Sequence, residues 1–268
     1  MVVKTGAGVE SIERTADAVI VRTANETYSA RIVVGADGPN GVTAKSLGLK
    51  LKCDNGVGLD CQVVPKNYDP EAWKGLVKFD YGDIPGGYGW VFPKKEMLSI
   101  GVGGLAGDAK KLKPYLQRLI ERQNLGPYEI KSLKGHLMPV RKKGSPITGD
   151  RVLLVGDAAG LVEPFSGEGM YNAILSGQIA VEVIADYLKD HSLGLSRYEE
   201  RIDEEIMPES HAAWQILKLS RMFPKTSLGL LNSNDRVWNA VCRVLRGEKK
   251  YSQFNDVLGP GRVVFRLL

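Results

Sequence analysis

The chain opens on β-branched runs set between polar breaks. Val19-Ile20-Val21-Arg22-Thr23 follows the polar stretch Thr15-Ala16-Asp17, and Tyr28-Ser29-Ala30-Arg31-Ile32-Val33-Val34 follows Asn25-Glu26. Two such runs with a short polar gap predict a hairpin. The second run stops at Gly35-Ala36-Asp37-Gly38-Pro39-Asn40-Gly41, a loop, and a short helix is expected over 42–47. Between 51 and 104, short apolar runs alternate with Gly and Pro, as in an antiparallel sheet. Residues 114–125 carry helical periodicity, with Pro114 at the expected start and Gly126 just past the end.

The pattern changes at Arg151. Val152-Leu153-Leu154-Val155 is a continuous apolar run of the kind buried on both faces of a sheet. It runs into Gly156-Asp157-Ala158-Ala159-Gly160, and a helix is expected over 169–189. From Arg197 to Leu268 the chain reads as mostly helical, with a kink at Pro208. No internal repeat or low-complexity segment interrupts it.

Of the 268 residues, 43% are hydrophobic and 25% charged, which excludes disordered, collagenous and coiled-coil classes. The net charge of +5 is spread along the chain without a dense basic block, which argues against a nucleic-acid partner. Three cysteines without CxxC spacing give neither a disulfide framework nor a zinc site and suit a reducing compartment. No run approaches the ~20 apolar residues of a membrane-spanning helix, and the N-terminus has no apolar signal region. The expected location is cytoplasmic, with peripheral membrane contact left open.

Three loops could carry chemistry. Gly156-Asp157 sits where a buried strand ends, the usual ligand position in α/β sheets. Pro164-Phe165-Ser166-Gly167-Glu168-Gly169 then leads into a helix, whose first N–H groups favour an electron-rich or anionic atom. Gly35-Ala36-Asp37-Gly38 is a second strand-end loop; Asp-Gly alone marks ordinary turns. Gly101-Val102-Gly103-Gly104-Leu105-Ala106 matches the dinucleotide fingerprint in letters, but no helix opens within it and no acidic residue follows a second strand, so it reads as a decoy.

Val33–Gly41 resembles the Asp-Gly segment of flavoprotein monooxygenases and their relatives, and Gly156–Gly160 with Pro164 and Gly167–Gly169 resembles their Gly-Asp segment. Between them, Tyr88-Gly89-Trp90-Val91-Phe92-Pro93 resembles the Tyr-x-Trp-x-Phe-Pro signature of the geranylgeranyl reductase family. The resemblance covers Val9 to Lys189. It implies an α/β (α+β) fold: a partial FAD-binding domain of the para-hydroxybenzoate hydroxylase type (1–48 and 149–190), an antiparallel-sheet substrate domain (49–148) and a helical C-terminal region (191–268).

The resemblance further implies FAD as cofactor. Gly156 and Asp157 would meet the ribityl chain. Backbone N–H groups at Gly167, Glu168, Gly169 and Met170 would face the flavin pyrimidine edge, where the reduced ring carries negative charge. Asp37 and Gly38 would lie near the nucleotide portion, and Tyr88, Trp90, Phe92 and Pro93 would line an apolar slot for an isoprenoid chain. The implied reaction is flavin-dependent saturation of isoprenoid C=C bonds in a lipid, pigment or quinone precursor, with a ferredoxin or NAD(P)H as electron donor. No catalytic side chain is assigned; Tyr88 is conceivable as proton donor, and His136 reads as structural or solvated.

Two departures from the family pattern remain. The N-terminal βαβ unit with its pyrophosphate loop is not recognised, which implies a partner chain or dimer that supplies it, or a truncated fragment without activity of its own. Gly160 stands where aromatic hydroxylases often carry His, which favours a reductase over a monooxygenase or halogenase on the same fold.

Overall fold

A computed structural model describes residues 2–256. Its strands are β1 (Val9–Arg14), β2 (Val19–Thr23), β3 (Thr27–Ala30), β4 (Val33–Gly35), β5 (Cys53–Pro65), β6 (Lys78–Tyr81), β7 (Tyr88–Pro93), β8 (Leu98–Leu105), β9 (Tyr128–Arg141), β10 (Thr148–Gly149) and β11 (Val152–Leu154). Its helices are α1 (Thr43–Ser46), α2 (Ala109–Arg122), α3 (Met170–Lys189), α4 (Ser196–Glu205), α5 (Met207–Met222), α6 (Pro224–Ser233) and α7 (Asp235–Leu245). The chain forms two compact units, one of Met1–Asp54, Pro139–Glu163 and Glu168–Pro208, the other of Asn55–Met138, Pro164–Gly167 and Glu209–Leu268.

In the first unit β1, β2 and β3 form an antiparallel meander, and the expected hairpin is its β2–β3 arm. The run Tyr28–Val34 is not one strand, however. It breaks at Arg31–Ile32, and Val33–Gly35 leaves to pair in parallel with β11. β-Branched composition is the same on both sides of the break, so periodicity cannot locate it. Val152, Leu153 and Leu154 are all fully buried, as their unbroken apolar run demands. Leu153 and Leu154 sit in a core with Ile179, Ala180 and Val183 of α3 and Tyr198 and Ile202 of α4, and Val152 sits in a second one with Ile12 of β1 and Val19 of β2. The buried Tyr198 hydroxyl donates to the Leu154 carbonyl at 2.8 Å.

The second unit is built on a sheet of order β6-β7-β8-β5-β9, with β6–β7, β7–β8 and β8–β5 antiparallel. One face carries Cys61, Val63, Val91, Leu98, Ile100 and Val102 and is covered by Leu112, Tyr115, Leu116, Leu119 and Ile120 of α2. Burying each such side chain is worth about 1.5–3 kcal/mol, enough to carry Pro114 inside the helix. The expected start at Pro114 is therefore corrected: α2 begins at Ala109, and proline's lost hydrogen bond is offset by the packed stripe around it. The decoy glycine run is strand β8, as its missing helix implied.

The C-terminal region is helical through α7 and a 3₁₀ turn at Tyr251–Asp256; the remainder of that expectation lies outside the described residues. The chain breaks at Ile206, and Pro208 stands as the second residue of α5, where a missing N–H costs nothing.

Candidate functional site

In the first unit, strand β11 delivers the chain into a 3₁₀ turn at Gly156–Ala159. Gly156 N–H donates to Ser176 Oγ of α3 at 3.0 Å, and Asn172 Nδ2 donates to the Leu161 carbonyl at 2.8 Å, so α3 holds both ends of the loop. Gly160 closes the turn with φ of +73°, and its N–H donates to the Asp157 carbonyl. A Cβ on Gly160 would meet Cys53 Sγ at 2.7 Å and the Arg141 backbone at 3.3 Å. The glycine is therefore required twice over, by conformation and by space.

Arg141 backs this loop. Its N–H donates to the Gly160 carbonyl at 2.6 Å. Its fully buried guanidinium donates from Nε to the Ser145 carbonyl at 2.8 Å and pairs with Asp203 and Glu199 of α4.

Asp157 is half-buried, and burial, with the Glu168 carboxylate adding to it, pushes its carboxyl above the usual carboxylate range. Gly169 directly precedes α3, and a Cβ on it would lie 3.1 Å from Asp157 Oδ1. Glu168 Oε1 accepts the Tyr171 N–H at 2.9 Å, a carboxylate at the positive end of the helix. Met170 opens α3 and is 77% exposed, with Tyr171 and Ile174 beside it at 68% and 65%. In the Asp-Gly loop, Asp37 Oδ2 accepts both N–H and hydroxyl of Thr43 at 2.8 Å and so starts α1. Gly38 makes the turn at φ +73°.

The second unit carries an aromatic ladder on the sheet face opposite α2. Alternation puts Tyr88, Trp90 and Phe92 of β7 on that face and Pro93 on the other. Across the β6–β7 pair Tyr81 stands opposite Tyr88 and Phe79 opposite Trp90, with ring centroids 5.7–5.8 Å apart from Phe79 to Tyr88, Phe79 to Phe92 and Tyr88 to Trp90. The Trp90 indole lies flat across the sheet over Gly101 and reaches Gly103 and Gly58. Tyr88 donates its hydroxyl to the Ser166 carbonyl, tying the Pro164–Gly167 segment to the ladder. Helices of the same unit adjoin it: Leu228 of α6 lies against Gly82, and burial, with Cys242 of α7 nearby, pushes the Tyr81 hydroxyl up to about 12. Phe165 packs edge-on against Tyr251 and, with Ile216, Val241 and Val244, lines an apolar crevice. His136 is exposed on β9.

Sequence reasoning missed the supporting groups Ser176, Asn172 and Arg141, the ladder members Phe79 and Tyr81, and a polar group on the ladder face: Asp60, Gln62, Ser99 and Lys94. Only the last had a sequence signal, polar residues at alternate positions of an otherwise apolar strand.

No protein-family model matches the chain. A digeranylgeranylglycerophospholipid reductase of Methanopyrus kandleri is 32% identical over 215 residues, covering 74% of this chain and 55% of that protein. The crystal structure of a geranylgeranyl bacteriochlorophyll reductase-like protein of Thermoplasma acidophilum superposes with a TM-score of 0.69 at 28% identity, over 80% of this chain and 57% of the other. Over about three quarters of its length the chain is similar to the geranylgeranyl reductase family. It spans about half the length of the curated relatives it matches. Beyond the geranylgeranyl reductases the fold is shared widely: a flavoprotein/dehydrogenase of Cytophaga hutchinsonii superposes with a TM-score of 0.70 over 97% of this chain, at 16% identity. The mixed α/β architecture, with antiparallel sheet and C-terminal helices, is that of FAD-dependent hydroxylase-type proteins.

Proposed function

We propose that the protein is an FAD-dependent reductase that saturates C=C bonds in the isoprenoid chains of a lipid. The observation that carries this is the aromatic ladder formed by the Tyr88–Pro93 signature, in a chain 32% identical to a digeranylgeranylglycerophospholipid reductase. Three half-buried aromatic rings over a glycine floor offer an apolar surface without hydrogen-bond demands, which suits a polyprenyl chain.

The first unit's residues fit the cofactor. Gly38 leaves open space where a side chain would stand, the half-buried Asp157 offers a carboxylate beside Gly169, and the start of α3 supplies N–H groups with the positive end of the helix dipole. Asp157 and Gly156 would hold the ribityl chain, Glu168 to Met170 the pyrimidine edge, and Asp37 and Gly38 the nucleotide side. FAD in its reduced form supplies the hydride; the protein orients the chain and keeps water from it. Tyr88, whose hydroxyl is fixed on the Ser166 carbonyl, is the proton donor we favour.

Two further elements belong to this reading. β4 is an edge strand of the parallel pair with Val34 exposed, and the α3 face of Met170, Tyr171, Ile174 and Val181 is apolar and exposed. Parallel pairs are stable when covered, so we infer that a nucleotide-binding unit docks there and completes the FAD site. Met222 and Phe223, exposed at the end of α5 beside Lys218 and Lys225, suit contact with an anionic bilayer. Among the described residues no helix is long and apolar enough to cross a membrane.

The test is a visible spectrum of the chain mixed with FAD and desalted, alone and with the N-terminal half of a full-length relative. A flavin band retained at least with that half supports the reading; a colourless protein in both cases contradicts it.

A further inference from the structure

On the ladder face, one edge of the pattern is polar. Opposite Trp90 and Gly101 on β5 stands Asp60, and opposite Phe92 and Ser99 stands Gln62. Ser99 donates its hydroxyl to Asp60 Oδ1, and Gln62 donates its amide to Asp60 Oδ2. Lys94, at the end of β7, donates Nζ to Gln62 Oε1 at 2.8 Å, and its carbonyl is fixed by the Tyr68 hydroxyl at 2.6 Å. The result is a relay of cation, amide, carboxylate and hydroxyl running from the surface to the buried Ser99.

Sheet packing does not require this relay. The opposite face of the same strands carries Cys61, Val63, Val91, Leu98, Ile100 and Val102, and a charged group partly withdrawn from water is often replaced by an apolar one without loss of stability. The relay also keeps capacity in hand: an ammonium has three donors and a carboxylate about four acceptor sites, of which, among the described residues, Lys94 spends one and Asp60 two. The unspent groups are donors on Lys94 and acceptors on Asp60. They complement a ligand that carries an anionic oxygen next to a hydroxyl. From the Tyr88 row to the Phe92 row the face runs about 13 Å, so a molecule lying along it would set an apolar chain on the rings and its head at the relay.

We propose that Lys94, Gln62, Asp60 and Ser99 form a headgroup subsite for a phosphorylated glycerol, with Lys94 taking a phosphate oxygen and Asp60 a glycerol hydroxyl. This rests on the reading that the ladder takes an isoprenoid chain.

Titration calorimetry of the full chain with soluble C10 probes tests it: geraniol, geranyl phosphate, geranylglyceryl phosphate and inorganic phosphate. Lys94→Met is expected to weaken both phosphorylated prenyl probes about tenfold and leave geraniol unchanged. Asp60→Asn is expected to weaken geranylglyceryl phosphate and spare geranyl phosphate. A Lys94→Met variant with an unchanged ratio of geranyl phosphate to geraniol affinity overturns the assignment. So does inorganic phosphate binding as tightly as geranyl phosphate with the same loss in Lys94→Met, which would mark a free-anion site. Failure of the isoprenoid reading looks different: no prenyl probe, geraniol included, binds the unaltered chain, and the headgroup assignment falls with it.

Discussion

The Trp90 indole occupies the place where a side chain on Gly101 would stand: a Cβ there would lie 2.0 Å from Cζ2 and 2.3 Å from Cε2. The two residues are partners in the β7–β8 register. A glycine run that reads as a phosphate loop in letters thus serves to lay an indole flat on a sheet. The ladder's shape depends on it.

Gly101→Ala should therefore lift the indole and cost about 1–3 kcal/mol, as overpacking does. In a Trp90→Ala background the indole's share of that cost should vanish while the share from the Leu59 carbonyl, 2.7 Å from the same Cβ, should remain, and a double-mutant cycle from urea unfolding reads the coupling. Equal costs in both backgrounds would mean that the indole does not rest on Gly101.

Gly160→Ala meets two penalties, a left-handed φ of +73° and Cys53 Sγ at 2.7 Å. Cys53→Ala removes the second and leaves the first, about 1–2 kcal/mol. The double variant should recover part of the thermal stability lost by Gly160→Ala, and a histidine at this position should be tolerated less than alanine. Thermal melts of the three variants check the order.

The Asp157 carboxyl is held above its usual range, chiefly by burial and then by Glu168. A folded-state value above the unfolded one means that the native state binds the proton more tightly. Stability from this group is complete below the unfolded value and falls as pH rises through the folded one. Asp157→Asn should thus raise the melting temperature at neutral pH and lose that advantage at acidic pH, while weakening FAD retention. A melting temperature lowered at neutral pH would contradict the burial argument.

Arg141 is completely buried between Asp203, Glu199 and the Ser145 carbonyl. Arg141→Met leaves two carboxylates without their cation and should destabilise the chain by about 3–5 kcal/mol. Adding Asp203→Asn and Glu199→Gln should restore a large part of it in chemical denaturation.

Much of this was legible in the sequence because it is written in local pattern. The buried strand β11 shows as an unbroken apolar run, the decoy is exposed by its missing helix, and the motif segments carry the family resemblance. What stayed hidden depends on long-range pairing. The split between β3 and β4 separates two equally β-branched halves that choose different sheets. The ladder draws Phe79 and Tyr81 from a strand outside the signature, and the Arg141 pairing joins residues more than fifty positions apart. α2 begins at Ala109, ahead of Pro114, because proline's preference for a first turn yields to packing around it.

The central claim is flavin-dependent saturation of isoprenoid double bonds. The most direct measurement is mass spectrometry of a digeranylgeranylglyceryl lipid incubated with the chain, its docking unit and dithionite-reduced FAD. The expected result is a mass gain of two hydrogens per saturated bond, absent without FAD and diminished in Tyr88→Phe. A lipid of unchanged mass from a preparation that retains flavin, or a product that gains oxygen when air is admitted, would contradict it.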